Sequence, residues 1–166
     1  MSVHLTLSRF PLALVLLVAA VGCARCNRPS EPTDMPSAQD SATVAAQTEL
    51  ATAFVRSALG GDVVAGYALM SESERASTNV RDFGQRVAQA IAPLVEFELA
   101  VVEVLPDSNP ENLSASLSAV APELDPATAA ARVDVRLTND LDVFMGLILV
   151  DEGDGLRVGA FWVAAR

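Results

Sequence analysis

Cys23 and Cys26 are the only thiols in the chain, and they stand in a Cys-x-x-Cys spacing. That spacing serves redox exchange or half of a zinc site. A zinc site needs two more ligands, and the sole histidine is His4 at the extreme N-terminus. No strand–helix pattern surrounds the pair, so neither use is expected. The chain has no lysine. Without lysine, a phosphate-binding loop with its lysine and Schiff-base chemistry are excluded, and loss of His4 with residues 1–22 would exclude Ser–His–Asp and Cys–His catalysis and histidine metal sites from the mature chain. No glycine-rich dinucleotide motif follows a strand, and no cofactor is expected. Asp, Glu, Arg, Ser, Thr and the single tyrosine, Tyr67, remain. Asp151, Glu152 and Asp154 cluster around Gly153 and Gly155. The bidentate Glu that ends a calcium loop is missing, so this cluster reads as a hairpin turn.

Around the cysteines the sequence has the order of an export signal. Arg9 precedes an apolar run from Phe10 to Gly22. As a helix this run spans about 20 Å at ~1.5 Å per residue, short of the ~30 Å hydrocarbon core of a bilayer. It suits the h-region of a signal peptide over residues 1–22. The run ends Ala20-Val21-Gly22-Cys23-Ala24, which resembles the bacterial lipobox. The resemblance implies a diacylglyceryl group on the Cys23 thiol, cleavage before Cys23 and acylation of the new amine. Palmitate and similar chains would then hold the protein on a membrane. One myristoyl-length chain binds marginally, whereas two or three on one residue hold almost permanently. Ala24, in place of Asp, resembles the pattern for sorting to the periplasmic face of an outer membrane. Residues 23–43 carry Pro29, Pro32, Pro36, Ser30, Ser37, Ser41, Glu31, Asp34 and Asp40 without apolar periodicity, and read as a disordered tether. Cys26 is left as an odd thiol in an oxidising compartment.

The chain has a formal charge of −10, and loss of residues 1–22 removes Arg9. Such a surface repels phosphate backbones and offers no basic patch to anionic lipid, so no nucleic-acid partner is expected. The membrane contact rests on the lipid alone.

Residues 44–166 have the size of one domain. Leu50, Ala51, Phe54, Val55, Ala58 and Leu59 recur at helical spacing, which predicts a helix from Val44 to Leu59 ended by Gly60-Gly61. Asp62 caps a short second helix carrying Val63, Tyr67 and Met70. Ser71-x-x-Glu74 opens another turn, and Asn79-x-x-Asp82 begins a helix with Val80, Phe83, Val87, Ile91 and Leu94. The period then becomes two. Strands are expected at Val95–Val101, Leu113–Ala119, Val133–Leu137, Leu141–Val150 and Leu156–Ala164, with turns at Pro106–Asn112 and Pro122–Thr128. Helices first and strands afterwards predict an α+β fold, with helices packed on a curved antiparallel sheet of four to six strands. Arg132, Asp134 and Arg136 read as a solvated, mutually compensating row.

Phe54-Val55-Arg56-x-x-Leu59-Gly60-Gly61-Asp62, then Ala65-x-Tyr67-x-Leu69-Met70-Ser71, resembles the opening of envelope proteins in the nuclear transport factor 2-like (cystatin-like) superfamily. The hairpin from Leu149 to Val158, leading to Phe161 and Trp162, is similar to theirs as well. The resemblance implies a cone: a sheet curved around a long helix, an apolar pocket and frequent dimerisation through the sheet. Ketosteroid isomerases and polyketide cyclases of that superfamily use pocket carboxylates and Tyr. Their pattern has no counterpart here, so no catalytic residue is carried over.

Phe54, Tyr67, Phe83, Phe97, Phe144, Phe161 and Trp162 are the candidates for lining a pocket or an interface. Val143, Met145, Leu147 and Leu149 lie on one side of the penultimate strand and Phe144, Ile148 and Val150 on the other. A sheet covered on one face leaves its other face polar. Two apolar faces therefore predict a second cover, supplied by a homodimer or an envelope protein docked on the sheet. The expected function is a non-catalytic, membrane-anchored binding module of the cell envelope, with a small apolar ligand as a further partner. A small isomerase or cyclase with a pocket Asp or Glu is the alternative.

Overall fold

The computed structural model describes residues 38–94, 97–107, 109–138 and 142–165, the side chains of 38, 39 and 165 excepted. The expected signal peptide, Cys23, Cys26 and most of the stretch read as a tether lie outside the described residues.

Helix α1 spans Ala38–Leu59, so it begins inside the stretch read as tether, which reached Thr43. Residues 40–46 are exposed on every side. The packed stripe is Gln47, Ala51, Phe54, Val55 and Ala58, one face of a 3.6-residue period. The helix stops where Gly61 takes φ 73°, a left-handed conformation that costs glycine little. There Gly60 N–H bonds the Arg56 carbonyl at 2.8 Å and Asp62 N–H the Ser57 carbonyl at 2.9 Å.

Three side chains start the next helices as the sequence indicates. Asp62 accepts from Ala65 N–H before α2 (Val63–Ala68), Ser71 from Glu74 N–H before α3 (Glu72–Ser77), and Asn79 from Asp82 N–H before α4 (Val80–Ile91). Each satisfies a donor that the first helical turn leaves unpaired. A single 3₁₀ turn, Ala92–Leu94, ends this half.

The sheet is antiparallel, four-stranded and open, in the order β1 (Glu103–Asp107), β2 (Ala129–Arg136), β3 (Val143–Asp151), β4 (Leu156–Ala165). The α+β expectation holds, at the lower end of the expected strand number. Two strand assignments are corrected. The run at Val95–Val101 is irregular where described. It approaches β2 through Ala100 and Val102, whose N–H groups bond the carbonyls of Leu137 and Arg136 at 2.9 Å each. The regular ladder begins only at Glu103.

The second correction is larger. Leu113–Ala119 belongs to a helix, α5 (Pro110–Val120). Asn109 caps it by accepting from Glu111 N–H, and Pro110 takes the first turn, where its missing N–H costs nothing. Leu113, Leu117 and Ala121, four apart, then share one face, which packs on Ile148, Val150, Ala160 and Trp162. The larger core lies on the opposite face of the sheet, where Met145, Leu147 and Leu149 meet Phe54, Val55, Phe83 and Val87. Every residue from Val143 to Val150 is buried. The second cover that two apolar faces demand is thus present in the same chain, as α5.

Candidate functional site

The apolar interior between α1, α4 and the sheet is where a cone-shaped pocket would open. Four of the seven aromatic candidates meet there. The Phe54 and Phe161 ring centroids are 5.4 Å apart, Phe54 and Phe83 6.1 Å, Phe83 and Phe161 5.9 Å, and Tyr67 and Phe83 5.8 Å. These are tilted and edge-to-face contacts at normal packing distance. Phe54 and Phe83 are 0% and 1% exposed, so the rings fill the space themselves. Tyr67 turns its hydroxyl outward, where the one proton is shared between the carbonyls of Arg75 at 2.9 Å and Thr78 at 2.6 Å. This clamps the segment from α3 to α4.

The other three candidates lie elsewhere. Phe97 is 40% exposed, past the 3₁₀ turn. Phe144 and Trp162 occupy the second face of the sheet. Trp162 packs with the α5 cluster, beneath the Arg132 guanidinium at 5.6 Å. Arg132 is not part of a solvated row. Its Nε and Nη2 bond Asp134 at 3.1 and 2.7 Å, and its Nη1 bonds Ser116 Oγ of α5 at 3.1 Å. Arg136 pairs instead with Glu103 at 2.9 Å. The alternating charges of β2 act as polar anchors for α5 and β1.

Among the described residues the buried polar side chains are Gln47, Ser71, Ser116 and Thr138; no carboxylate is among them. Among the described residues Asp107 is the carboxylate whose surroundings clearly favour the charged form. The Asn109 N–H at 2.9 Å and the Asn112 amide at 2.8 Å stabilise its carboxylate, with help from Arg132, and hold its pKa below the ordinary value. It ties β1 to the first turn of α5. The described residues include no group of three or more His, Cys, Asp or Glu placed to hold a metal, and no helix long and apolar enough to cross a membrane. Asp151, Glu152 and Asp154 form the expected hairpin turn: Glu152 accepts from Glu72 N–H at 2.6 Å, and Asp151 accepts from Gly153 N–H at 2.8 Å.

Concavities lie at the surface. One of about 300 Å³ runs along α1 beside Leu69 and Leu156. A second, of about 390 Å³, carries Glu123, Asp125, Asp151 and Glu152 beside Leu124 and Val150. A third, of about 170 Å³, has Ala160 and Phe161 of β4 as its floor, Arg86 and Ala90 of α4 on one side, and Val120 and Glu123 on the other. α4 and the C-terminal end of α5 sit on opposite faces of the sheet, so this last groove opens along the outer edge of β4. Glu123 borders both it and the second groove. Sequence reading marked Phe161 but missed Arg86, Ala90, Val120 and Glu123. The available signal was the strand itself, which carries no charge and no proline from Val158 to Ala165.

Comparison of the chain with family models, curated proteins and solved structures returns no match.

Proposed function

We propose that this chain is a lipid-anchored protein of the cell envelope, on the periplasmic face of an outer membrane where the cell has one, and that its domain binds a polypeptide partner without catalysing a reaction. Cys23 carries the lipid, and the segment between it and α1 gives the domain reach. The observation that carries the binding reading is the ring cluster of Phe54, Phe83, Phe161 and Tyr67. An isomerase or cyclase needs an apolar cavity with a carboxylate inside it. Here side chains occupy that volume, and recognition is left to the surface grooves. The nuclear transport factor 2-like assignment belongs to the same proposal, supported by a long helix lying across an antiparallel sheet.

The test is a titration of the full chain in lipid nanodiscs with a steroid and with benzene, following the ring resonances of Phe54, Tyr67 and Phe83. The reading expects them to stay in place. Saturable shifts of all three would instead mark an interior ligand site and favour the enzyme.

A further inference from the structure

The two edges of the sheet are protected differently. β1 is short and carries Pro106 between Glu103 and Asp107, the usual devices against unwanted strand pairing. β4 is the opposite edge and twice as long. From Val158 to Ala165 it has neither charge nor proline. Its first part is occupied: Val158 N–H bonds the Leu69 carbonyl and the Val158 carbonyl accepts from Ser71 N–H, both at 2.9 Å, in an isolated parallel bridge to Met70. Val158 faces Leu149 across the ladder, and Phe161 and Val163 face Leu147 and Met145. Polar groups alternate with a two-residue period in an antiparallel ladder. Phe161 and Val163 therefore turn their N–H and C=O outward, as Val158 does. No bond joins these groups to a described residue.

We propose that this free stretch of β4 accepts an extended segment of a partner protein as a fifth strand, and that the segment alternates apolar with basic side chains. The inference rests on the binding-module reading and names its site. The groove sets the chemistry. An added strand sends alternate side chains to the two faces of the sheet. On the α4 side they meet Ala90 and the Phe161 ring, beneath an Arg86 already paired with Glu74 at 2.7 Å and held 5.8 Å from that ring; apolar side chains fit there. On the α5 side they meet Val120 and Glu123, the latter without an ion pair to a described residue, and beyond them Asp125 and Asp151, with Glu152 already 3.9 Å from Arg157; basic side chains fit beside Glu123. Main-chain bonds supply affinity, and the alternating surroundings supply selectivity. A second copy of this chain is disfavoured as the occupant. Pairing β4 with itself about a two-fold axis brings each wall against its own copy, Glu123 against Glu123, between two strongly acidic molecules.

The test uses the full chain in detergent. The probes are a blocked hexapeptide of alternating valine and arginine and its valine–glutamate twin. In the free protein the Phe161 and Val163 amides should exchange with solvent faster than that of Trp162, which bonds inward to β3. Saturation with the valine–arginine peptide should slow both by about tenfold or more, as newly bonded ladder amides are protected, and the twin should not. Glu123→Arg, an exposed change, should weaken that peptide about twofold to fivefold, the worth of one rim charge. Val163→Pro should abolish the protection; if that variant fails to fold, the wild-type exchange and Glu123→Arg decide. Unchanged exchange at Phe161 and Val163 under saturating peptide would overturn the proposal. So would protection confined to α1 or α2, which leaves the binding-module reading standing, and so would a light-scattering dimer in which these amides are already slow.

Discussion

Gly146 of β3 and Trp162 of β4 face each other across the ladder, and the indole lies directly over the glycine, so that a Cβ on Gly146 would fall inside the indole carbons. The missing side chain at 146 is the bed for the ring, which in turn packs on the α5 cluster and stacks under Arg132. Gly146→Ala should cost at least the ~1–3 kcal/mol of an overpacked core position. It should also red-shift the emission of the only tryptophan. Urea denaturation read by fluorescence checks both. A stability within about 0.5 kcal/mol of wild type, the range of an indifferent surface change, would place the indole elsewhere.

The filled interior makes a second prediction. Phe83 touches Phe54, Tyr67 and Phe161 and is 1% exposed. Phe83→Ala should lose ~3–5 kcal/mol and leave a dry cavity. Benzene should then raise the melting temperature of the variant and leave that of the wild type unchanged, because a ligand stabilises only the state that binds it.

Tyr67→Phe isolates the outer end of the same cluster. The ring contact to Phe83 remains, and the hydroxyl that serves the Arg75 and Thr78 carbonyls is lost. The expected cost is about 0.5–1.5 kcal/mol, one neutral hydrogen bond, measurable by chemical denaturation. Amide exchange should quicken between residues 75 and 79 and remain unchanged in β2.

The depressed acidity of Asp107 predicts an acid-sensitive junction between β1 and α5. A carboxylate whose folded pKa lies below its unfolded one contributes stability above the ordinary Asp range and loses it as pH falls through the depressed value. The Asn109 amide resonance, whose N–H donates to Asp107 Oδ1, should titrate below that range. Asp107→Asn should abolish the titration. A midpoint at or above the ordinary value would show that these bonds do not form in solution.

The starts of α2, α3 and α4 and the terminal strands were legible because their signals are local. Asp62, Ser71 and Asn79 begin helices by accepting backbone hydrogen bonds a few residues ahead, and the turn with Gly153 and Gly155 at positive φ joins two apolar runs. Helix α5 was misread because Leu113, Ala115, Leu117 and Ala119 satisfy a period of two, while Leu113, Leu117 and Ala121 equally satisfy a helical one. Asn109-Pro110 was the arbiter, since that pair caps a helix and breaks a strand. The error propagated: with α5 counted as a strand, the second apolar face of β3 called for another molecule. The ring cluster needed the fold, because Phe54, Tyr67, Phe83 and Phe161 come from four elements that only tertiary packing brings together. The β4 groove was hidden for the same reason. Its walls belong to helices on opposite faces of the sheet, and no spacing in the chain encodes their approach.

The proposed anchoring of this domain through one modified sulfur is open to intact-mass spectrometry of the protein extracted from its native membranes. The expected mass is that of a chain that begins at Cys23 and carries a diacylglyceryl group and an amide-linked acyl chain, with Cys23→Ser recovered unprocessed and free of lipid. A chain that begins elsewhere, or a soluble one with an unmodified Cys23 thiol, would contradict it.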